Sequence, residues 1–178
     1  MKNQPPETLE TSFYYVLNEL ATSTVASEQQ KLIKCLASVD NVKLIDELIK
    51  LAVYGTQPKD YTGNEAKIRD QDLTFTLTSI SSRSQTGNNM VWSWLRVHWY
   101  ELVDKFSLND RTLGRFAPSV VEGFDSEEKL WEVRDFFEAT EGGAGEGYRA
   151  NALATIESNI FWVENNLEDV LGWIKSRE

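Results

Sequence analysis

One apolar stripe at helical spacing follows another along nearly the whole chain, and that succession is the strongest constraint on its fold. The clearest stripe lies in NMVWSWLRVHWYELVDKF, residues 89 to 106. There Trp92, Leu95, Trp99, Leu102, Val103 and Phe106 recur at offsets of 0, 3, 7, 10, 11 and 14. Val91 and Trp94 broaden it. A face this wide needs cover from two directions, so it belongs inside a stack of helices rather than on a flat surface. Its tryptophans are expected in the core. His98, the sole histidine, is expected as a packed, hydrogen-bonded residue with no part as ligand or base.

Glycine, proline and polar clusters divide the rest into similar units, about eight in all. Residues 8 to 21 carry Phe13, Val16, Leu17 and Leu20. Residues 27 to 37, with Ser27 as the expected N-cap, carry Leu32, Ile33 and Leu36. Residues 41 to 54 carry Leu44, Ile45, Leu48, Leu51 and Ala52 before Gly55 stops them. Further helices are predicted at 109 to 122, 126 to 139 and 147 to 176. The last carries Leu153, Ile156, Ile160, Val163, Leu167, Val170 and Ile174, flanked by Trp162 and Trp173. The polar span 55 to 67 is expected to be the most mobile loop. DLTFTLTSI reads two ways. Leu73, Phe75 and Leu77 alternate with threonines as in a half-buried strand, yet Leu73, Leu77 and Ile80 share one helical face. No second strand lies nearby to pair its backbone, so residues 70 to 82 are predicted helical.

Amphipathic helices in unbroken succession, joined by short turns, predict an all-α, HEAT/armadillo-like α-solenoid of antiparallel helix pairs with about eight or more helices. The repeats are too degenerate to show a fixed period. A chain of 178 residues suits a single helical-repeat domain over 1–178 and can bury roughly 70% of its unfolded surface.

Charge and residue types remove several function classes. With 18 basic and 28 acidic residues the net charge is −10, which argues against nucleic-acid and anionic membrane partners. One cysteine, Cys35, allows no internal disulfide and no multi-cysteine metal motif. A helical zinc motif needs two histidines one turn apart, and a serine hydrolase needs a Gly-x-Ser-x-Gly elbow; neither is present. The glycine cluster EGGAGEG at 141 to 147 is no phosphate loop. No Lys-Ser/Thr follows it, no strand precedes it, and Glu141 and Glu146 would repel phosphate. A flexible helix connection is expected there. The acidic pairs Glu127/Glu128 and Glu168/Asp169 are expected as solvated helix faces. No catalytic residue, metal ligand or cofactor site is therefore predicted in the chain itself. The start MKNQPPETLE lacks the apolar segment of a signal peptide, no run approaches the roughly 18 apolar residues of a membrane span, and no Asn-x-Ser/Thr sequon occurs.

IRDQD (68–72), MVWSWLRVHWYELVDKF (90–106), FDSEEKLWEVRDFF (124–137) and YRANALATIESNIFWVENNLEDVLGWI (148–174) together resemble the C-terminal helical domain of M1 family zinc aminopeptidases. This is the aminopeptidase N, endoplasmic-reticulum aminopeptidase and puromycin-sensitive aminopeptidase group. SEQQKLIKCLASVDNVKLIDELIKLAV (27–53) extends the resemblance, which covers about 27–174. Its most specific part is Asn159-Ile160-x-Trp162 followed by Asn165 or Asn166 and then Trp173. The resemblance implies a HEAT-like bowl that closes over a separate catalytic domain, enclosing the peptide substrate. That domain carries the zinc and is absent from this chain. The chain is then expected to be the substrate-enclosing domain, inert by itself, with peptide and catalytic domain as partners.

Few side chains carry over. In several relatives the residue just ahead of the FDSEEKL-type turn lines the specificity pocket. Here that position is Gly123, so Glu122, Gly123 and Phe124 are the substrate-facing candidates. The turn SSRSQTGNN (81–89) is about one residue longer than usual, which bears on the direction of Arg83. The paired cysteines of many surface-exposed relatives are missing, which leans toward a cytosolic parent or an unusual secreted one. The residues leave an alternative open, a free-standing helical-repeat module that binds a peptide or protein with no enzyme attached. An upstream His-Glu-x-x-His in the same reading frame separates the two.

Overall fold

The computed structural model describes residues 6–177, and all regular elements among them are helical. They are α1 (Pro6–Thr22), α2 (Ala26–Leu36), α3 (Val42–Tyr54), α4 (Leu73–Ser81), α5 (Gln85–Phe106), α6 (Arg111–Val121), α7 (Glu127–Ala139) and α8 (Glu146–Lys175). Short 3-10 turns occupy Asp70–Asp72 and Gly143–Gly145. The all-α, helical-repeat expectation holds. Two compact units are present, one ending at Val97 and the other starting at His98.

In the first unit, α1 lies against α2, and α4 against α2 and α3. Phe13, Leu17, Ile33, Leu36, Leu48, Leu51, Leu73, Leu77 and Trp92 are among its fully enclosed residues. The stripes read from the sequence are therefore the buried faces. Asn41 caps α3 by accepting from the Leu44 N–H at 3.2 Å, and Gly55 ends it in the left-handed region at φ 68°. The start of α2 differs from expectation. Val25 is the N-cap, Ser27 lies inside the first turn, and no side chain caps the helix. Ser23 takes part instead, donating to Glu28 at 2.9 Å just ahead of the turn.

Residues 73–81 are helical, and their threonines show why. Thr76 Oγ1 donates to the Asp72 carbonyl at 2.7 Å, one turn back, so its hydroxyl is satisfied within the segment. Leu73, Leu77 and Ile80 are enclosed while Phe75 is only half-buried, the division a helix makes and a strand does not. The following helix begins four residues before the predicted 89. Ser84 Oγ accepts from the Gly87 N–H at 2.9 Å and nucleates that extra turn. The loop 55–67 is anchored rather than free. Gln57 exchanges two hydrogen bonds with the backbone of Ala66, at 2.7 and 3.0 Å, and Asn18 accepts from both nitrogens of Asn64 at 3.1 Å. Lys43 ties it further, reaching Asp60 at 2.8 Å and Glu10 at 2.6 Å.

In the second unit, α6 and α7 pack on α8. Asp110 caps α6, accepting from the N–H groups of Thr112 and Leu113 at 2.7 and 2.9 Å, and Ser126 caps α7. The glycine cluster is no flexible connection. Gly145 meets Gly114 backbone to backbone: a Cβ on Gly145 would stand 2.6 Å from the Gly114 carbonyl oxygen, and one on Gly114 would stand 2.8 Å from the Gly145 nitrogen. Beside it Arg149 is buried, and its guanidinium donates to the carbonyls of Phe137, Thr140 and Glu141 at the end of α7. It thereby satisfies carbonyls that the helix leaves open, with its charge at the negative end of the helix dipole. Burial lowers its pKa from the ordinary arginine value.

Helix α5 passes through the division between the units, and His98 leaves helical geometry there at φ −107°, ψ 16°. His98 is half-buried, with Nδ1 3.1 Å from Glu101 Oε1. Trp92, Leu95, Trp99 and Leu102 are buried as expected, whereas Trp94, Val103 and Phe106 are half-buried. In α8, Ile156 and Ile160 are buried, but the same stripe is uncovered from Leu167 onward.

Candidate functional site

The three substrate-facing candidates form the turn between α6 and α7. Helix α6 closes at Val121, and the Phe124 N–H donates to the Val121 carbonyl at 3.0 Å, tightening the chain into the turn. A staple from α8 holds it: Asn159 Nδ2 donates to the carbonyls of Glu122 and Phe124 at 2.9 and 3.0 Å. Asn159 belongs to the most specific block of the sequence resemblance, and its role is now visible. An amide beside Ile160 on a buried helical face looks inward to backbone rather than outward to solvent.

The three residues do not share one orientation. Glu122 and Gly123 are exposed, and a Cβ on Gly123 would find open space. Phe124 is only 6% exposed, with Lys129 Nζ 5.6 Å from the centre of its ring. Phe124 thus shapes the turn from within, while Glu122 offers a carboxylate and Gly123 offers backbone. Arg83, in the lengthened turn between α4 and α5, is exposed.

Two open clefts lie among the described residues of the first unit. One, about 340 Å³, is lined by Asp46, Ile49, Asn89, Met90, Ser93 and Trp94, combining an apolar wall with amide, hydroxyl and carboxylate groups. The other, about 220 Å³, is lined by Lys43, Asp46, Glu47, Lys50 and the start of the 55–67 loop. Asp46 borders both and is paired with Lys50 at 2.6 Å. Behind the second cleft Tyr14 lies 3.2 Å from Glu10 and 3.3 Å from Glu47. Burial, then the nearby Glu47 charge, pushes the phenol pKa up, and burial pushes the Glu47 carboxyl up.

The acidic pairs Glu127/Glu128 and Glu168/Asp169 are exposed. Among the described residues no three His, Cys, Asp or Glu side chains converge as a metal ion requires. With His98 as the sole histidine, the residues present do not fit a catalytic zinc site.

Comparison with known proteins places this helical array. The family model described as the ERAP1-like C-terminal domain matches residues 8–158, from α1 into α8. The chain belongs to that family, the C-terminal helical domain of M1 aminopeptidases. A glutamyl aminopeptidase of Bitis rhinoceros is 35% identical over 170 residues, 95% of this chain and 17% of that protein. The human glutamyl aminopeptidase is 34% identical over 165 residues, 92% of this chain and 16% of its own length. Aminopeptidase N of Bos taurus is 30% identical over 164 residues, 90% of this chain and 16% of its own. The chain therefore spans about one sixth of the length of the curated relatives it matches.

Proposed function

We propose that this domain encloses the substrate of an M1 zinc aminopeptidase and is inert by itself. The observation that supports this is the family match over 8–158 to relatives about six times its length, in a chain without the ligands of a zinc site. In this reading zinc belongs to a catalytic domain elsewhere in the parent, where it supplies Lewis-acid activation of water. The present residues contribute a wall. Closing a helical array over bound peptide excludes bulk water and holds the chain in register for cleavage.

The Glu122 carboxylate and the Gly123 backbone face the enclosed peptide in this reading. Phe124 and Asn159 are positioning residues, since they fix the turn from inside. A glycine at the pocket position leaves room beside Glu122 that a side chain would fill. Partners are thus the peptide and the catalytic domain of the parent. A free-standing binding module is the less favoured reading, because the relatives sharing this domain are aminopeptidases.

Aminoacyl-coumarin substrates test the inertness directly. The purified chain with added zinc is expected to give no turnover above buffer. Reproducible, chelator-sensitive cleavage would overturn the assignment of a wall without chemistry.

A further inference from the structure

Three carboxylates crowd one lysine where the 55–67 loop meets α1 and α3. Lys43 donates to Glu10 at 2.6 Å and to Asp60 at 2.8 Å, and Glu47 stands one turn further along α3. Between them lies the half-buried phenol of Tyr14, 3.2 Å from Glu10 Oε1 and 3.3 Å from Glu47 Oε2. The charged groups around Glu47 are Glu10 on α1, Lys43, Asp46 and Lys50 on α3, and Asp60 with its neighbour Lys59 on the loop. Asp46 and Lys50 pair with each other at 2.6 Å, while Lys43 attends Glu10, Glu47 and Asp60.

Counting donors exposes a conflict when all three of these carboxyls are ionised. A phenol has one proton, so Tyr14 donates to Glu10 or to Glu47 but not to both. The other contact then sets two oxygens side by side with no hydrogen between them. A proton taken up by Glu47 removes the conflict. Its O–H donates to Tyr14, the Tyr14 O–H donates to Glu10, and Glu10 accepts from Lys43, which also holds Asp60. The chain is then unbroken from α3 through α1 to the loop, and the Glu47 charge no longer opposes those of Glu10 and Asp60. Tyr14 also reaches the loop through its ring, 5.8 Å from that of Tyr61, whose hydroxyl donates to the Asn64 carbonyl at 2.8 Å.

The surroundings favour that proton. Burial raises the Glu47 carboxyl above its ordinary 4.5, while the hydrogen bond from Lys43 holds Glu10 and Asp60 below their ordinary values, so both stay ionised as Glu47 titrates. Because the folded value of Glu47 is the higher one, its stabilisation is complete below 4.5 and is lost as pH rises through the folded value.

We propose that Glu47, Tyr14, Glu10 and Lys43 form a proton-operated clasp, which tightens the 55–67 loop on α1 and α3 in mildly acidic solution and loosens it at neutral pH. Thr56, Gln57 and Pro58 of that loop line the cleft of about 220 Å³ together with Glu47, so the clasp sets how firmly one wall of the cleft is held. It is independent of the enclosing role, because it uses neither the 122–124 turn nor a catalytic domain.

Amide hydrogen exchange of the full 178-residue chain reads the loop directly. The Asn64 N–H, held by Asn18 at 3.1 Å, and the Ala66 N–H, held by Gln57 at 3.0 Å, report its opening. From about pH 7.5 to about pH 5 their protection factors, corrected for intrinsic exchange, are expected to rise about two- to five-fold. Those of Thr112 and Leu113 in the second unit are expected to stay level, since their acceptor Asp110 titrates below 3.8. Glu47→Gln carries an uncharged, permanent donor toward Tyr14 and is expected to show the acid level of protection at both pH values. Tyr14→Phe is expected to abolish the rise, while an isotope-labelled Glu47 carboxyl, followed by NMR, still titrates with a midpoint above 4.5. A rise that survives in either variant, or parent protection that stays level across the titration of Glu47, overturns the clasp. A Glu47 midpoint at or below 4.5 in the parent overturns its place as the seat of the proton.

Discussion

Trp99→Ala tests the core of the second unit. The indole is 2% exposed, Phe136 meets it edge-on at 5.8 Å and 85°, and the Arg149 guanidinium stands 5.2 Å from its ring. Burying roughly 150 to 250 Å² at about 25 cal/mol per Å² gives about 4 to 6 kcal/mol as an upper value. Measured truncations of this kind cost about 3 to 5 kcal/mol. A loss of about 4 kcal/mol is expected, a large share of the roughly 5 to 15 kcal/mol that holds a domain together. Trp131, 62% exposed and touched by Arg134, is the control, and its alanine variant is expected to lose less than about 1 kcal/mol. Urea unfolding followed by far-UV ellipticity measures both. Combining Trp99→Ala with Arg149→Met should show a coupling of about 0.5 to 2 kcal/mol, from the stacked cation. If Trp99→Ala unfolds like the parent while peptide binding disappears, the aromatic cluster is a recognition surface and the reasoning fails.

Gly145→Ala forces a Cβ against the Gly114 carbonyl, and urea unfolding should show a loss of about 1 to 3 kcal/mol, against a near-neutral change for Gly147→Ala, whose Cβ meets nothing. Asp110→Ala removes the α6 cap and should cost about 1 kcal/mol at neutral pH. The N–H groups of Leu113, then Thr112, hold the Asp110 carboxyl below its ordinary 3.8. Because the folded value is the lower one, this stabilisation is complete above 3.8 and is lost as pH falls through the folded value. Asp110→Asn keeps an acceptor, so its stability relative to the parent should improve on acidification below 3.8, as urea titrations at several pH values can show.

Local spacing made much of the fold readable. Leu73, Leu77 and Ile80 identified α4 as a helix against the threonine alternation, and Gly55 marked a helix end because a left-handed residue there suits glycine. What escaped depends on partners distant in sequence. Gly114 and Gly145 touch across 31 positions, and nothing near either announces the other. Arg149 reads as one more surface cation until the end of α7 is placed beside it. The uncovered end of α8 escaped for the opposite reason: its stripe is as apolar as the buried part, and sequence does not tell which half finds a partner. At the candidate site, Asn159 stood in the resemblance without a role, because its two acceptors lie more than 30 residues away.

The enclosing role is tested most directly in a glutamyl aminopeptidase from which the matching segment is deleted, then replaced by this chain. The deleted enzyme is expected to lose efficiency on peptides far more than on single aminoacyl-coumarins, and the replacement to restore the peptide kcat/KM to within about tenfold. Peptide cleavage by the deleted enzyme at the original efficiency would contradict a domain that encloses the substrate.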